Sequence, residues 1–161
     1  MWRRRLLLGR DFARRWTHRD RGAGAANRPR VLIEEPDVAE AFAYWHLLED
    51  HGYAVSWCPG PAGPPPRRCP LVDLGHCDLV GCADVVVSSL PLQLHSSRQV
   101  IAALRYLHPA TPMIVQAPRQ QLEQWSPLLG SGASGVMRMP VTGTTLLESV
   151  EQVLSPSLPA A

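Results

Sequence analysis

Glu34 and Glu35 form an acid pair that directly follows the apolar run 31–33. The run Val-Leu-Ile predicts a short strand, so both acids stand at its carboxyl end. Carboxylates are hard oxygen ligands that could hold a divalent cation, although two of them without a third protein ligand make a weak site. Solvated acids near the N-terminus of a helix are the other interpretation.

Two hydroxyls, Ser88 and Ser89, follow the most strand-like run of the chain, the three valines 85–87. Such a run predicts a strand buried on both faces of a parallel sheet. Ligands in these sheets bind beyond the carboxyl ends of the strands, which is where both serines stand. A kinase could phosphorylate Ser89. Alternatively, both hydroxyls satisfy backbone groups of the following loop.

All four cysteines lie within residues 58–82, with ten, seven and four residues between them. We expect Cys82, next to the valine strand, to be a core residue. The candidate ligands for zinc or an iron–sulfur cluster are Cys58, Cys69 and Cys77, with His76 beside the third. The spacings match none of the common zinc patterns. Redox pairing and ordinary burial of small apolar thiols, or a flexible loop, are the alternatives.

The charge of the chain is divided between a basic beginning and an acidic remainder. Residues 1–30 hold ten of the 16 basic residues, whereas residues 31–161 hold six basic and 12 acidic residues, a formal charge of −6. All 16 basic residues are arginine, which excludes chemistry that needs a lysine amine. No apolar run is long enough to span a bilayer, so we expect a soluble, cytoplasmic protein without membrane contact.

We divide the chain into a basic tail at 1–29, a folded domain at 30–155 and a C-terminal tail at 156–161. The first segment has the composition of a disordered tail, although its arginines and interleaved aromatic residues could contact nucleic acid and also resemble an organellar presequence. Nucleic-acid binding is otherwise not expected.

Strand patterns alternate with helix patterns throughout the folded domain, which predicts an α/β fold with a doubly wound, five-stranded parallel sheet. Asp37, Ser96 or Ser97, and Thr145 are the expected helix caps. The second helix is replaced by a loop rich in proline and cysteine, because five prolines between Pro59 and Pro66 prevent a regular element. Pro127 is expected to bend or shorten the fourth helix.

Three stretches together resemble the receiver domain of response regulators. The most specific is Leu128 to Pro140, Leu-Leu-Gly-Ser-Gly-Ala-Ser-Gly-Val-Met-Arg-Met-Pro, which looks like the end of the fourth helix, a glycine-rich turn and a fifth strand that leads to a cis-proline. Arg30–Gly52 and Asp84–Pro91 are also similar. The resemblance covers residues 30–155 and implies the flavodoxin-like strand order 2-1-3-4-5.

The resemblance also places the phosphotransfer pocket of the family on five residues of this chain. The acid pair falls on Glu34 and Glu35, the acceptor aspartate on Ser89, the hydroxyl residue on Gln116 and the lysine on Met139. The last three positions lack the chemistry that stabilises an acyl phosphate. This pattern implies a degenerate receiver, or pseudo-receiver, that is not an enzyme.

The leading hypothesis is therefore a stand-alone signalling module that binds a protein partner, or a second copy of itself, without phosphorylation. By resemblance, the partner would contact the face around Trp125, Leu129, Val141 and Leu147. The alternative hypothesis is a metal or redox sensor that uses the segment Cys58–Cys77 on a receiver-like scaffold. A weaker alternative is nucleic-acid binding through the arginine-rich tail.

Overall fold

The computed structural model describes residues 28–63, 65–130 and 134–155. The tail predictions at 1–27 and 156–161 lie outside these residues. Five parallel strands form one sheet in the order β2-β1-β3-β4-β5, which confirms the predicted fold class. The strands are β1 (Arg30–Glu34), β2 (Ala54–Cys58), β3 (Val85–Ser88), β4 (Met113–Ala117) and β5 (Gly135–Arg138).

The described residues form seven helices, six between the strands and one after β5. They are α1 (Val38–Asp50), α2 (Pro70–Leu74), α3 (Asp78–Gly81), α4 (His95–Leu107), α5 (Arg119–Gln124), α6 (Ser126–Leu129) and α7 (Gly143–Leu154). Within the described ranges, no helix is both long and apolar enough to cross a membrane.

The sheet separates two apolar clusters. Residues of α1 and α7 pack on one face against Val31, Ile33 and Met137, and residues of α2, α3, α4 and α6 pack on the other face against Leu32 and Val115. Every residue of β3 and β4 is buried. Central parallel strands need apolar residues on both faces because helices cover both of them.

The predicted proline- and cysteine-rich loop is only partly a loop. The described residues between β2 and β3 form no long second helix, but Pro70–Leu74 and Asp78–Gly81 form the short helices α2 and α3. Leu71 in α2 and Val80 in α3 are almost fully buried and belong to the same core as α4. The periodicity was too short to be recognised in the sequence, because these helices have only five and four residues.

Asp37 caps α1 as predicted, and Glu35 of the acid pair takes part in the cap. The Asp37 carboxylate accepts hydrogen bonds from the backbone N–H groups of Ala39, at 2.8 Å, and Glu40, at 3.0 Å. The backbone N–H of Asp37 itself donates to Glu35 Oε1 at 2.8 Å. One residue of the acid pair therefore has a structural role at the start of α1.

We expect Asp37→Ala to lower the free energy of unfolding by about 1 kcal/mol, because two N–H groups of α1 lose their acceptor. Urea denaturation at neutral pH would measure the change. Asp50→Ala is the matched control, since Asp50 is at the opposite end of α1, where a negative charge is unfavourable to the helix dipole. An equal loss in both variants would contradict the capping role.

The other two cap predictions are wrong. Leu94, not a serine, precedes α4 at the cap position, and Ser97 is fully buried within the helix. Helix α7 begins one turn earlier than predicted, since Thr142 Oγ1 accepts from the N–H of Thr145. The expected break in the fourth helix is confirmed, because the chain divides at Trp125 into α5 and α6, with Pro127 in the first turn of α6.

Candidate site at the carboxyl edge of the sheet

Glu34 lies inside the protein, on the face of the sheet that carries the cysteine segment. It is in register with Cys58 of β2 on one side and Ser88 of β3 on the other. Residues paired in this way project to the same face of a sheet, so the carboxyl lies between the thiol and the hydroxyl. The Glu34 side chain is 3% exposed, and its Oε2 has no hydrogen-bond partner among the described residues.

Burial raises the pKa of the Glu34 carboxyl to about 7, and the neighbouring Ser88 hydroxyl offsets part of the rise. A carboxylate removed from water loses its hydration, which favours the neutral acid. Near neutral pH, Glu34 is therefore divided between its acid and its carboxylate form. This behaviour differs from that of a solvated acid at a helix N-terminus.

Glu35 is also buried, but the residues that it contacts differ from those that Glu34 contacts. Besides the bond to Asp37, its carbonyl oxygen accepts from Trp57 Nε1 at 2.8 Å, and its N–H donates to the carbonyl of Cys58 at 3.0 Å. Burial raises the pKa of the Glu35 carboxyl, whereas the Asp37 N–H and the Ser89 hydroxyl lower it. Glu34 thus adjoins Cys58 and Ser88, while Glu35 adjoins Asp37 and Ser89.

Ser89, at the acceptor position, is held by its neighbours. Its N–H donates to the carbonyl of Glu34 at 2.8 Å, and its Oγ accepts a hydrogen bond from Gln116 Nε2. Gln116 lies in β4 and is 1% exposed. Gln116, predicted at the family's hydroxyl position, therefore binds Ser89, predicted at its acceptor position.

Tyr44 of α1 is a member of this polar group that the sequence did not reveal. Burial raises the pKa of its hydroxyl, and a hydrogen bond with Gln116 partly offsets the rise. No feature of the sequence distinguished Tyr44 from the other aromatic residues of α1. The group Glu35, Ser89, Gln116 and Tyr44 joins β1, β3, β4 and α1 at the carboxyl edge.

Met139 lies beyond the end of β5, where the family has its lysine. Its N–H donates to the carbonyl of Ala117 at 3.1 Å, and the following bond to Pro140 is cis. A thioether is uncharged and cannot neutralise a phosphoryl group. The described residues place no ammonium group there, since the chain contains no lysine.

Whether the predicted metal ligands bind a metal ion stays a prediction. Cys58, Cys69 and Cys77 are partly buried against the core that includes α2, α3 and α4, and all are free thiols. In the described part of the chain, no group of three or more His, Cys, Asp or Glu side chains is placed to hold a metal ion. His76 is exposed, with Nδ1 3.5 Å from the carbonyl oxygen of Leu74.

Burial also disfavours the thiolate form of Cys58 and Cys69. It raises the pKa of Cys58 to about 12 and raises that of Cys69 as well, so the thiolate that metals and oxidants require is scarce. We attribute the clustering of the three cysteines to packing as small apolar side chains. Cys82 was expected in the core but is exposed.

The predicted interaction face requires one correction. Leu129 is 4% exposed and belongs to the core, so it cannot be presented to a partner. Trp125 is partly buried beneath the guanidinium of Arg98, whose Cζ is 4.0 Å from the ring centroid. Val141 and Leu147 are partly buried against the opposite core cluster. Whether this face binds a partner stays a prediction.

No protein-family model matches the chain, and no curated protein matches it. Solved structures do. A chemotaxis response regulator of Vibrio cholerae matches with a TM-score of 0.61 and 20% identity over 80% of this chain and 100% of that chain. The chain has the receiver-domain fold.

Two further receiver structures agree. A receiver domain of Methanospirillum hungatei matches with a TM-score of 0.60 and 19% identity over 80% of this chain and 94% of that chain. The non-phosphorylated HemR receiver domain of Leptospira biflexa matches with a TM-score of 0.59 and 20% identity over 83% of this chain and 100% of that chain. These values show the receiver fold. The assignment of Ser89, Gln116 and Met139 to positions of the family's pocket stays a prediction.

Proposed function

We propose that this receiver-like domain is a signalling module that binds a protein partner without being phosphorylated and without catalysing a reaction. The observation that carries the proposal is the hydrogen bond from Gln116 to Ser89, which joins the two positions where a receiver needs a free hydroxyl and an acceptor carboxylate. A serine hydroxyl cannot form an acyl phosphate, and the amide of Gln116 occupies one of its acceptor sites.

The charges around Ser89 also favour this proposal. A phosphoryl group requires nearby cations, and receivers supply them as a metal ion and a lysine. Here no arginine is among the side chains that contact Ser89 in the described chain, and burial raises the pKa of the nearby carboxyls of Glu34 and Glu35. Met139 contributes no charge.

Exposure to beryllofluoride and Mg²⁺ is expected to leave the amide resonances of Ser89, Gln116 and Met139 unchanged. Two-dimensional ¹H–¹⁵N NMR of the full chain would measure them, with acetyl phosphate and Mg²⁺ as a second treatment and mass spectrometry to detect added phosphate. A receiver domain that has its acceptor aspartate and lysine is the positive control. Shifts that cluster at Ser89, or one added phosphate, would contradict the proposal.

A further inference from the structure

A groove runs along α4 on the side that faces α5 and α6. Near the start of α4 it is lined by His95, Arg98 and Gln99, with Trp125 and Leu128 on the opposite wall. A second cavity lies at the end of the same helix, and Ala102 lines both of them. The rest of its lining comes from α4, the turn after it, β3 and the start of β4, not from α5 or α6. The residues of α4 that line the groove recur every three or four positions, so they share one face of this helix.

The groove exists because the opposite wall is short. Helices α5 and α6 have six and four residues and are separated at Trp125, whereas α4 has 13. At 1.5 Å per residue, α4 extends for about 20 Å, which exceeds the length of either helix across from it. Val136 of β5 is 52% exposed, as expected where these short helices leave the sheet incompletely covered.

The part of the chain that forms this groove has a positive formal charge, whereas the rest of the described chain is negative. Residues 92–130 hold three arginines and one glutamate, a formal charge of +2, whereas the other described residues hold five arginines and eleven acids, a formal charge of −6. The single glutamate, Glu123, is already paired with Arg119 at 2.6 Å. The groove lining includes Arg98, Arg105, His95 and His108 but no acid.

Arg98 is held in a fixed position within the groove. Its Nη1 donates to the carbonyl oxygens of Leu92 at 2.7 Å and Gln93 at 2.9 Å, while the guanidinium stacks on Trp125. These bonds use one nitrogen, so Nε and Nη2 have no hydrogen-bond partner in the described chain. A cation whose position is already fixed loses little entropy when it binds a carboxylate.

The floor of the groove is apolar. The half-buried Leu128 and the ring of Trp125 form it near the start of α4. Near the end of α4, Val86, Leu104 and Met113 lie behind the second cavity and are themselves buried in the core. An apolar floor with basic residues on its walls suits a peptide that has apolar anchors and acidic residues beside them. A polyanion such as nucleic acid would bind the basic residues of the walls but would make no apolar contact with the floor.

We infer that the groove between α4 and the helices α5 and α6 binds an acidic segment of a partner protein through apolar anchors. The inference rests on the proposed function only in treating the chain as a binding module, since the groove lies apart from Ser89. A phosphorylated Ser89 would contradict the proposed function and leave the groove inference intact.

A randomised peptide library displayed on phage and selected on the full chain would test the inference. We expect the selected peptides to be rich in Asp and Glu with Leu, Ile or Phe anchors. The tightest one, labelled with fluorescein, would then be titrated with the protein, and its dissociation constant measured by fluorescence anisotropy.

Ala102→Glu and Ala43→Glu form a matched pair of variants for that titration. Both alanines are exposed and lie within helices, but Ala43 is in α1, on the other face of the sheet. We expect Ala102→Glu to weaken binding at least about tenfold through repulsion and obstruction, and Ala43→Glu to leave it unchanged. Arg98→Gln should also weaken binding.

Three outcomes would overturn the inference. The first is selection of peptides that are not acidic. The second is equal binding by Ala102→Glu and the unmodified protein, which would place the peptide outside the groove. The third is competition by a single-stranded oligonucleotide as effective as that by the unlabelled peptide, which would indicate general polyanion binding.

Discussion

Raising the pH from about 5 to about 8 is expected to lower the free energy of unfolding by about 3 kcal/mol through Glu34 alone. Burial raises the pKa of this carboxyl from 4.5 to about 7 in the folded protein. Below pH 4.5 both states carry the proton and the stability is complete. Between the two pKa values the unfolded chain releases the proton first, so stability falls as the pH rises and levels off above about 7.

Glu34→Gln should remove this dependence, because an amide of nearly the same shape does not ionise. The free energy of unfolding would be measured in urea at several pH values for the unmodified protein and the variant. The curves should converge at low pH and separate as the pH rises, with the variant more stable at pH 8. Glu35 contributes in the same direction, since its pKa is raised too, and would account for a remaining slope.

Glu40→Gln is the control for that measurement, because Glu40 is an exposed glutamate in the first turn of α1. It should leave the slope unchanged. If Glu34→Gln kept the slope of the unmodified protein, the carboxyl would have to be hydrated or paired with a cation, and the buried position described above would be wrong.

Leu71→Ala is expected to lower the free energy of unfolding by about 2 to 5 kcal/mol. Leu71 is 1% exposed and belongs to the core that α4 shares with the sheet. Removal of its side chain leaves a cavity beneath the cysteine segment. Chemical denaturation at a fixed pH would give the change, with circular dichroism to show that the folded state keeps its helices.

Leu74→Ala provides a matched comparison within the same helix, since Leu74 is 68% exposed. Its removal should change the free energy of unfolding by less than about 0.5 kcal/mol. Similar effects of the two substitutions would indicate that α2 does not pack on α4, and that the segment between β2 and β3 is a surface loop as first predicted from its prolines.

The strands could be predicted because their sequence signals are local. Three valines in β3 and the run Val-Leu-Ile in β1 suit only a strand covered on both faces, and β4 and β5 follow helix patterns at the expected intervals. The order of the strands came from the resemblance, not from the patterns. Asp37 was recognised because the cap and its first bonds lie within three residues.

The details that were missed depend on contacts between distant parts of the chain. Glu34 and Glu35 are adjacent in sequence, yet packing places one beside Cys58 and assigns the other to the start of α1. Likewise, Ser97 is in the core, although serine commonly caps helices. Local preference is a weak guide where tertiary packing decides.

Arg28 determines where this chain can be shortened without damage. Its guanidinium donates to the carbonyl oxygens of Gly52 at 3.0 Å, Glu49 at 3.3 Å and Tyr53, at the end of α1. The neighbouring carbonyl of Pro29 accepts from the N–H of Ala54 at 2.9 Å. Both residues were assigned to the tail 1–29, but they belong to the folded domain. Any study that removes the arginine-rich segment must keep Arg28, because its loss would weaken the end of α1 and could be mistaken for an effect of the tail.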